Sequence, residues 1–445
     1  MMFFGHSSLS NATSTLGWIL AHLVWLGLAR WTLTRSQTGR VWTVALACFA
    51  FALWTVSLAQ LRKPEETDVN RYFFEGVLVS EGVSPYQTPP ARFETQATHL
   101  SPEALTALRS IPQAELNFPE LGTPYPPIQE AAFGAIARGV RTVLGHYDRF
   151  AFLVGVVIAG LIFVVTGWRK RQVSWMWTSL FLCHPLFLRE WGVRAHADSL
   201  MVGAMLLALG AKTARAQTLF SFLALGLKYP GGWISWFVES PTLRSRFIRM
   251  MGVGLLGAAI FTPFLLQAPP GTSGVAAFTS LWESNSGVHR WARMLLGLYP
   301  GDSGEFFLRL GLLALVGAFS VHLVVRKNLS AFEMAALGFQ SWILLSPTPN
   351  PWYFTWTLAL LPACRAEIRN PLLVSFVALP LAQSWWAIDW VSSWNSGGWI
   401  GAGMRTLQDF GVEPLWNLEH GWLGFWTWKA YRSGLRLSHV EQSRP

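Results

Sequence analysis

Charged residues are scarce in this chain of 445 residues, making up only 13% of the sequence. A soluble domain carries about 25%, so half of the usual surface charge is missing. Stretches such as 41–60 and 250–282 contain no charged residue at all. Because uncharged apolar stretches of ~18 residues or more are typical of transmembrane helices, the composition predicts a polytopic membrane protein. It excludes secreted, cytosolic and nucleic-acid-binding classes despite the net charge of +10.

Cysteine is also rare. Cys48, Cys183 and Cys364 are scattered and lie in or beside apolar segments, so they indicate neither a disulfide framework nor a metal site. Internal repeats and low-complexity tracts are absent, and 433–445 is a short polar tail that we expect to be disordered. The N-terminus lacks the charged start and the cleavage site of a signal peptide, so we expect 16–34 to be an uncleaved first span.

Apolar segments separated by short basic connectors define the candidate spans. They are 16–34, 41–60, 149–167, 173–190, 197–212, 247–267, 305–325, 331–346, 350–364 and 371–390. Basic residues in short loops mark the cytoplasmic side of a membrane. Segment 61–125 instead holds nine acidic and five basic residues, a net charge of −4. We therefore expect 61–125 to be an extracytoplasmic loop.

Segment 126–145 decides between two topologies. Gln129, Glu130, Arg138 and Arg141 interrupt its apolar pattern, as in an amphipathic helix lying along the interface. If the segment instead crosses the membrane, the basic connector 169–171 lies outside. The interfacial alternative satisfies the positive-inside rule better and is preferred.

Two apolar runs are broken, by residues 229–232 (YPGG) and by residues 346–351 (SPTPNP). Broken backbone at membrane depth is tolerated only where protein buries it or a wet cavity accepts it. Both breaks therefore indicate an internal cavity that opens to the outer face.

The outer loop begins with ionisable residues at helical spacing. Asp68, Arg71, Tyr72 and Glu75 fall on one helix face, and an acid beside an apolar wall is suited to act as a general base. The alternative is a solvated loop helix with an intrahelical Asp68–Arg71 pair. Further along, Gly82 and Pro85 fix a turn that presents Tyr86.

Three ionisable residues, Arg194, His196 and Asp198, lie at a helix entrance beside apolar spans. Such residues are costly there and usually face a cavity. Capping of the following helix would explain Asp198 but not the other two. Lys228 stands alone in an apolar run, where it either extends to the interface or binds a phosphate group.

The order of these motifs resembles the GT-C superfamily of membrane glycosyltransferases, above all the prokaryotic polyprenyl-phosphate-mannose-dependent mannosyltransferases. The resemblance covers roughly residues 60–360. It rests on the following residues: Asp68, Arg71 and Tyr72; Gly82, Pro85 and Tyr86; Tyr125-Pro126-Pro127; Arg194, His196 and Asp198; Lys228-Tyr229-Pro230; and Asn350, Pro351, Trp352 and Tyr353.

The resemblance implies an all-α bundle of about 10–13 spans with a large extracytoplasmic loop that carries the catalytic acid. It implies inverting transfer of a sugar, with mannose preferred, from a polyprenyl-phosphate donor to a lipid or glycan acceptor. Asp68 takes the place of the general base. The expected substrate-binding residues are Arg71, Tyr72, Tyr86, Tyr125, Arg194, His196, Asp198, Lys228, Tyr229, Asn350, Trp352 and Tyr353. The expected location is the bacterial inner membrane, and the expected partners are membrane lipids and no nucleic acid.

Two features depart from the family pattern. No Asp-x-Asp or Asp-Glu pair follows Asp68, so we expect neither a metal nor another cofactor. His196 stands where the prokaryotic branch often has Gln or Asn. A phosphate leaving group needs positive charge, which Arg194, Lys228, Arg290 or Arg293 could supply. The alternatives are a transporter of lipid-linked sugars and an O-antigen ligase or polymerase.

Overall fold

The computed structural model describes residues 17, 20–31, 40–62, 67–96, 99–280, 286–298, 303–326, 328–376 and 413–442. Its residues separate into two compact units, one comprising 44–281 and the other comprising 1–43 with 282–445. The described residues form helices, turns and loops and contain no β-strand, which confirms the predicted all-α class.

The helices of the first unit follow one another through short connections. They are α1 (Arg40–Gln60, which begins in the other unit), α2 (Asp68–Ser80), α3 (Pro102–Arg109), α4 (Pro127–Leu144), α5 (Arg149–Lys170), α6 (Trp175–Leu182), α7 (Asp198–Gly210), α8 (Ala214–Leu227), α9 (Leu243–Leu265) and α10 (Gly274–Ser280). Single turns of helix stand at Phe93–Gln96, Pro185–Phe187 and Ile234–Phe237.

The second unit continues the helical pattern. Its helices are α11 (Gly287–Leu295), α12 (Ser303–Val325), α13 (Ala331–Leu345), α14 (Phe354–Leu360), α15 (Ala366–Ser375) and α16 (Glu413–Gln442). α16 extends over residues 433–442, so the expected disordered tail is helical there.

Within the part of the chain that the structure describes, four helices are long and apolar enough to cross a membrane: 41–60 within α1, α5, α9 and α12. Large apolar side chains on them are exposed, including Phe51 at 75%, Leu255 at 64% and Phe307 at 67%. Such faces are compatible with lipid and incompatible with water, and they identify a membrane protein. Shorter apolar helices, α7 and α13, accompany them, so the count of about 10–13 spans stays a prediction.

The prediction that 173–190 forms one helical span is wrong. α6 ends at Leu182, because Pro185 begins a new turn at 185 and cannot continue the preceding hydrogen-bond ladder. A π-helical segment, Leu188–Val193, follows. Residues 350–364 are likewise divided, into α14 flanked by 3₁₀ turns. Of the predicted span 371–390, 371–376 is described, and 371–375 belong to α15.

The two predicted backbone breaks are confirmed. α8 ends at Leu227, Lys228 is extended with φ −164° and ψ 133°, and a 3₁₀ turn covers Tyr229–Trp233. α13 ends at Leu345, and regular structure resumes only at Pro351. Proline supplies no backbone donor, which explains why neither helix continues.

Small residues let α5 and α7 pack closely. A Cβ atom added to Gly203 of α7 would lie 2.2 Å from Cβ of Phe163, and one added to Gly167 of α5 would lie 2.4 Å from Cβ of Leu206. Such seams of small residues replace hydrophobic driving force in membrane helix packing. The seam fixes the position of Asp198, the first residue of α7.

Candidate active site

Asp68 is the first residue of α2 and is partly exposed. Its carboxylate oxygen Oδ1 accepts a hydrogen bond from Nδ2 of Asn117, and the Oδ1 atom of Asn117 accepts one from the hydroxyl of Thr67. Burial raises the pKa of Asp68, whereas the Asn117 hydrogen bond and the charges of Lys228 and Arg71 oppose that rise. A partly desolvated carboxylate with raised proton affinity is suited to general base catalysis.

Arg71, one turn further along α2, is bound by protein groups. Its Nε donates to Glu75 at 2.7 Å, and its terminal nitrogens donate to the carbonyls of Asn117 at 2.7 Å, Phe118 at 3.0 Å and Leu121 at 2.6 Å. The predicted face of α2 is real, but Arg71 pairs with Glu75 rather than Asp68. Arg71 and Glu75 are only 3% and 1% exposed, so the alternative of a solvated helix is wrong.

Glu75 belongs to a second acidic cluster that includes Glu130 of α4. The Thr123 hydroxyl lies 2.7 Å from Oε1 of Glu130 and 3.2 Å from Oε2 of Glu75, and it donates to one of them. Burial and the neighbouring Glu75 carboxylate raise the pKa of Glu130 well above its usual range. Two carboxyl groups held together out of water disfavour the form in which both are ionised, and burial raises the pKa of Glu75 as well, against the opposing charge of Arg71.

Asp198 and Lys228 form a buried ion pair, with Nζ of Lys228 2.8 Å from each carboxylate oxygen. Their exposed fractions are 1% and 16%. Asp198 is the first residue of α7, and the N-cap position before it is occupied by Ala197. The charges of Lys228 and Asp198 both act on Asp68, which places the pair beside the candidate base.

Arg194 and His196 surround Glu190, a fully buried acid of the π-helical segment. Nη1 of Arg194 and Nε2 of His196 each lie 3.5 Å from Oε2 of Glu190. Burial and the charges of Arg194 and Lys228 hold the pKa of His196 well below its usual value, so the imidazole is neutral. Between them, Ala195 has φ 48°, a conformation that costs about 1–3 kcal/mol for a non-glycine residue and clusters at functional sites.

Four tyrosines line the same region. The Tyr72 and Tyr125 rings are 5.3 Å apart, and the Tyr86 hydroxyl donates to the Tyr125 carbonyl at 2.6 Å. Tyr229 acts electrostatically on Tyr86, and Asp68 acts on Tyr125. Gly82 has φ 80° in the predicted turn before Tyr86.

Asn350, Trp352 and Tyr353 belong to the other unit and are all buried. The backbone N–H of Tyr353 donates to the Asn350 carbonyl at 2.9 Å, and the Tyr353 ring lies 4.4 Å from that of Trp356. Trp352 and Tyr353 belong to an aromatic cluster at a helix break. Contact of Asn350, Trp352 and Tyr353 with substrate stays a prediction. Arg290 and Arg293 lie in this unit as well, on α11.

The family described as alpha-(1->6)-mannopyranosyltransferase, N-terminal domain, matches residues 2–240, which is more than half of the chain. The chain belongs to this family. The matched range contains Asp68, Arg194, His196, Asp198 and Lys228, whereas Asn350 to Tyr353 lie beyond it.

Two curated relatives support the assignment. A probable alpha-(1->6)-mannopyranosyltransferase of Mycolicibacterium smegmatis is 24% identical over 80% of this chain and 71% of its own length. Alpha-(1->6)-mannopyranosyltransferase B of Corynebacterium glutamicum is 26% identical over 77% of this chain and 62% of its own length. The match thus leaves about a third of these relatives uncovered. No solved structure shows a significant match to the chain.

The family assignment confirms the predicted resemblance and makes this membrane protein a glycosyltransferase. A transporter without enzymatic activity is thereby disfavoured. Of the predicted site residues of the first unit, Asp198 and Lys228 pair directly, and their charges act on Asp68 together with that of Arg71.

Sequence reasoning missed Asn117, Thr123, Glu130 and Glu190 as members of this group. Glu130 was expected on the polar face of an interfacial helix, yet it is only 2% exposed, because α2 covers that side of α4. Glu190 could have been found, since an acid at the end of an apolar run is a signal in itself. Asn117 and Thr123 lie in irregular chain, where no periodicity marks them.

Proposed function

We propose that the protein transfers mannose from a polyprenyl-phosphate donor to a hydroxyl of a lipid or glycan acceptor, with Asp68 as the general base. The observation that carries this proposal is the partly exposed Asp68 carboxylate held by Asn117 beside the Lys228–Asp198 pair. The relatives' names give an alpha-(1->6) linkage, so the acceptor group in this proposal is the primary 6-hydroxyl of a sugar.

The reaction balances with one catalytic carboxylate. The acceptor oxygen attacks C1 of the donor sugar while Asp68 takes the hydroxyl proton. The bond between C1 and the phosphate oxygen breaks, and its electron pair leaves on polyprenyl phosphate. A glycosidase needs a second carboxyl group as an acid for its leaving group, whereas a phosphate monoester leaves as a weak base and needs only cations.

Arg194 and Lys228 are the cations of the first unit that we assign to this phosphate. Lys228 has two oxygens of Asp198 as partners, so its ammonium is held in place before a donor binds. Preorganised charge of this kind stabilises developing negative charge without reorganisation. The neutral His196 beside Arg194 can exchange hydrogen bonds with sugar hydroxyls without adding charge.

The side of the membrane is the outer, non-cytoplasmic one in this proposal. It rests on the −4 charge of segment 61–125 against the basic connectors. In a Cys48→Ala background, an impermeant thiol reagent added to intact cells should label Gln113→Cys and spare Gln172→Cys. Labelling of Gln172→Cys from outside would place the connector 169–171 on the outer side and make α4 a membrane span.

The test of function is direct. Membranes containing the protein, or its Asp68→Asn variant at matched level, are incubated with radiolabelled polyprenyl-phosphate-mannose and an α-mannoside acceptor. We expect label in a product that an α-1,6-mannosidase releases, and about as much with EDTA present as without it. Label that only changes leaflet, with no new glycosidic bond, would show translocation instead of transfer.

A further inference from the structure

The segment 115–121, which we call the strap, is fastened along the first turns of α2. Nδ2 of Asn70 donates to the Glu115 carbonyl at 3.1 Å. Arg71 donates to the carbonyls of Asn117, Phe118 and Leu121 at distances of 2.6–3.0 Å. These bonds tie an irregular piece of chain to a regular helix at both of its ends.

The strap is held in a conformation that the chain would otherwise avoid. Phe118 has φ 45°, which is a genuine outlier for a bulky residue. Such a conformation persists only where the surroundings impose it, and here the buried guanidinium of Arg71 accounts for it, since it binds carbonyls on both sides of the turn. The strain places the side chain of Asn117 over the start of α2.

Both polar atoms of the Asn117 side chain form hydrogen bonds with residues at the start of α2. Its amide Nδ2 donates to Oδ1 of Asp68, and its Oδ1 accepts from the hydroxyl of Thr67. The Thr67 hydroxyl thereby fixes which end of the amide faces the carboxylate. Because one carboxylate oxygen of Asp68 is held in this way, its second oxygen is the one left to face a substrate.

We propose that Asn117 is a positioning residue for the transfer reaction, held by Arg71 through the strap, which orients the Asp68 carboxylate so that its second oxygen faces the acceptor hydroxyl. This inference rests on the proposed role of Asp68 as base. Asn117 touches the base and not the substrate, so its effect on the reaction passes through Asp68.

Several charged groups face Asp68, and each affects its titration. Arg71 lies on the same helix, Lys228 follows α8, and Asp198 begins α7, while the Tyr125 hydroxyl follows the strap. The hydrogen bond from Asn117 stabilises the ionised carboxylate and lowers its pKa. Removing this bond alone should therefore raise the pKa of Asp68, with the other groups unchanged.

The test compares Asn117→Ala with Asn70→Ala in the full-length protein in nanodiscs. Asn70 is the matched control because it binds the strap and Arg149 but not Asp68. We expect Asn117→Ala to lower kcat/KM for polyprenyl-phosphate-mannose about 10- to 100-fold at the optimum pH. The acidic limb of its pH profile should move to higher pH, and Asn70→Ala should lower thermal stability without moving that limb.

A second readout does not depend on activity. Infrared difference spectra recorded against pH give the titration of the Asp68 carboxyl, assigned as the band missing in Asp68→Asn. Asn117→Ala should move its midpoint upward. An unmoved midpoint, or an equal movement in Asn70→Ala, overturns the positioning role. If the midpoint moves while Asp68→Asn retains full transfer, the positioning stands and the assignment of Asp68 as base fails.

Discussion

Asp68 and Glu75 lie on the same face of α2, two turns apart, and their surroundings differ in nearly every respect. Asp68 is partly exposed and receives an amide hydrogen bond. Glu75 is buried between Arg71 and Glu130, whose pKa is raised by burial. Two acids on one helix face are therefore held differently, one in a partly exposed residue and one in a fully buried ion pair. This difference favours Asp68 over Glu75 as the base of the proposed reaction.

Asp68→Asn should produce the largest effect, because the amide is nearly the same shape but cannot accept a proton. Losing a general base typically lowers the rate about 10²–10⁴-fold. Transfer of labelled mannose in membranes measures it, with the level of inserted protein checked by blotting. The matched control is Glu120→Gln, an exposed acid of the strap, which should be as active as the wild type. Activity of Asp68→Asn within threefold of the wild type would end its role as base.

Lys228→Gln tests the cation beside Asp68. It strands Asp198, which is only 1% exposed, and removal of one member of a buried pair costs about 3–5 kcal/mol. We expect an earlier thermal unfolding transition, measured in detergent by intrinsic fluorescence. The double variant Lys228→Gln/Asp198→Asn removes both charges and should recover most of that stability.

The double variant also separates the two roles of Lys228. If the ammonium binds the donor phosphate, the double variant stays defective, with a KM for the donor well above that of the wild type. Recovery of both stability and donor use would show that Lys228 is a structural partner of Asp198 and nothing more.

Glu75→Gln should act on stability and little on chemistry. It leaves the Arg71 guanidinium, 3% exposed, without a charged partner, at a cost of about 3 kcal/mol. At a temperature where the variant is folded, transfer should be within about tenfold of the wild type, because the strap keeps its bonds to Arg71. A loss as large as that of Asp68→Asn at full stability would assign Glu75 to catalysis and erase the contrast.

Glu130→Gln should have the smallest effect. Burial raises the pKa of its carboxyl group, which favours the neutral form at pH 5, so the amide replaces a neutral group and we expect a change of less than about 1 kcal/mol there. The raised pKa means that the folded protein keeps a proton which the unfolded chain releases above its usual value of 4.5. Wild-type stability therefore falls as pH rises from there towards the folded pKa.

Unfolding midpoints measured from pH 5 to pH 9 check this sign. The wild type should lose stability across the range more steeply than Glu130→Gln. A variant whose midpoint falls as steeply as that of the wild type would show that Glu130 is ionised in the folded protein.

The sequence was sufficient for much of this arrangement. Helical spacing predicted the face of α2 that carries Asp68, and the lone Lys228 and the turn at 229–232 predicted a helix break beside an ionisable cluster. These features are local, so periodicity and proline report them. The Asp68–Arg71 pair, which was the alternative interpretation, is wrong, because Arg71 pairs with Glu75. Its bonds to the strap were not predicted, because they come from carbonyls 46–50 residues further along the chain.

The features that the sequence did not predict depend on tertiary contacts. Composition placed Glu130 on a polar face, but which face of α4 is covered depends on α2, which no pattern within α4 reveals. The single span expected at 173–190 failed because Pro185 interrupts it and a π-helical turn follows. Asn117 has an ordinary identity in an irregular segment, and only the fold brings it to Asp68.

The close packing at the seam between α5 and α7 affects which substitutions inactivate the protein. Gly203 has no reactive group of its own, yet a methyl group added to it would collide with Phe163 of α5 and would push α7, which begins at Asp198, away from α5. Screens for inactive alleles will therefore collect substitutions in the lipid-buried interior as well as at the mouth of the site. The number of substitutions tolerated at Gly167 and Gly203 measures how rigidly the Asp198–Lys228 pair must be held.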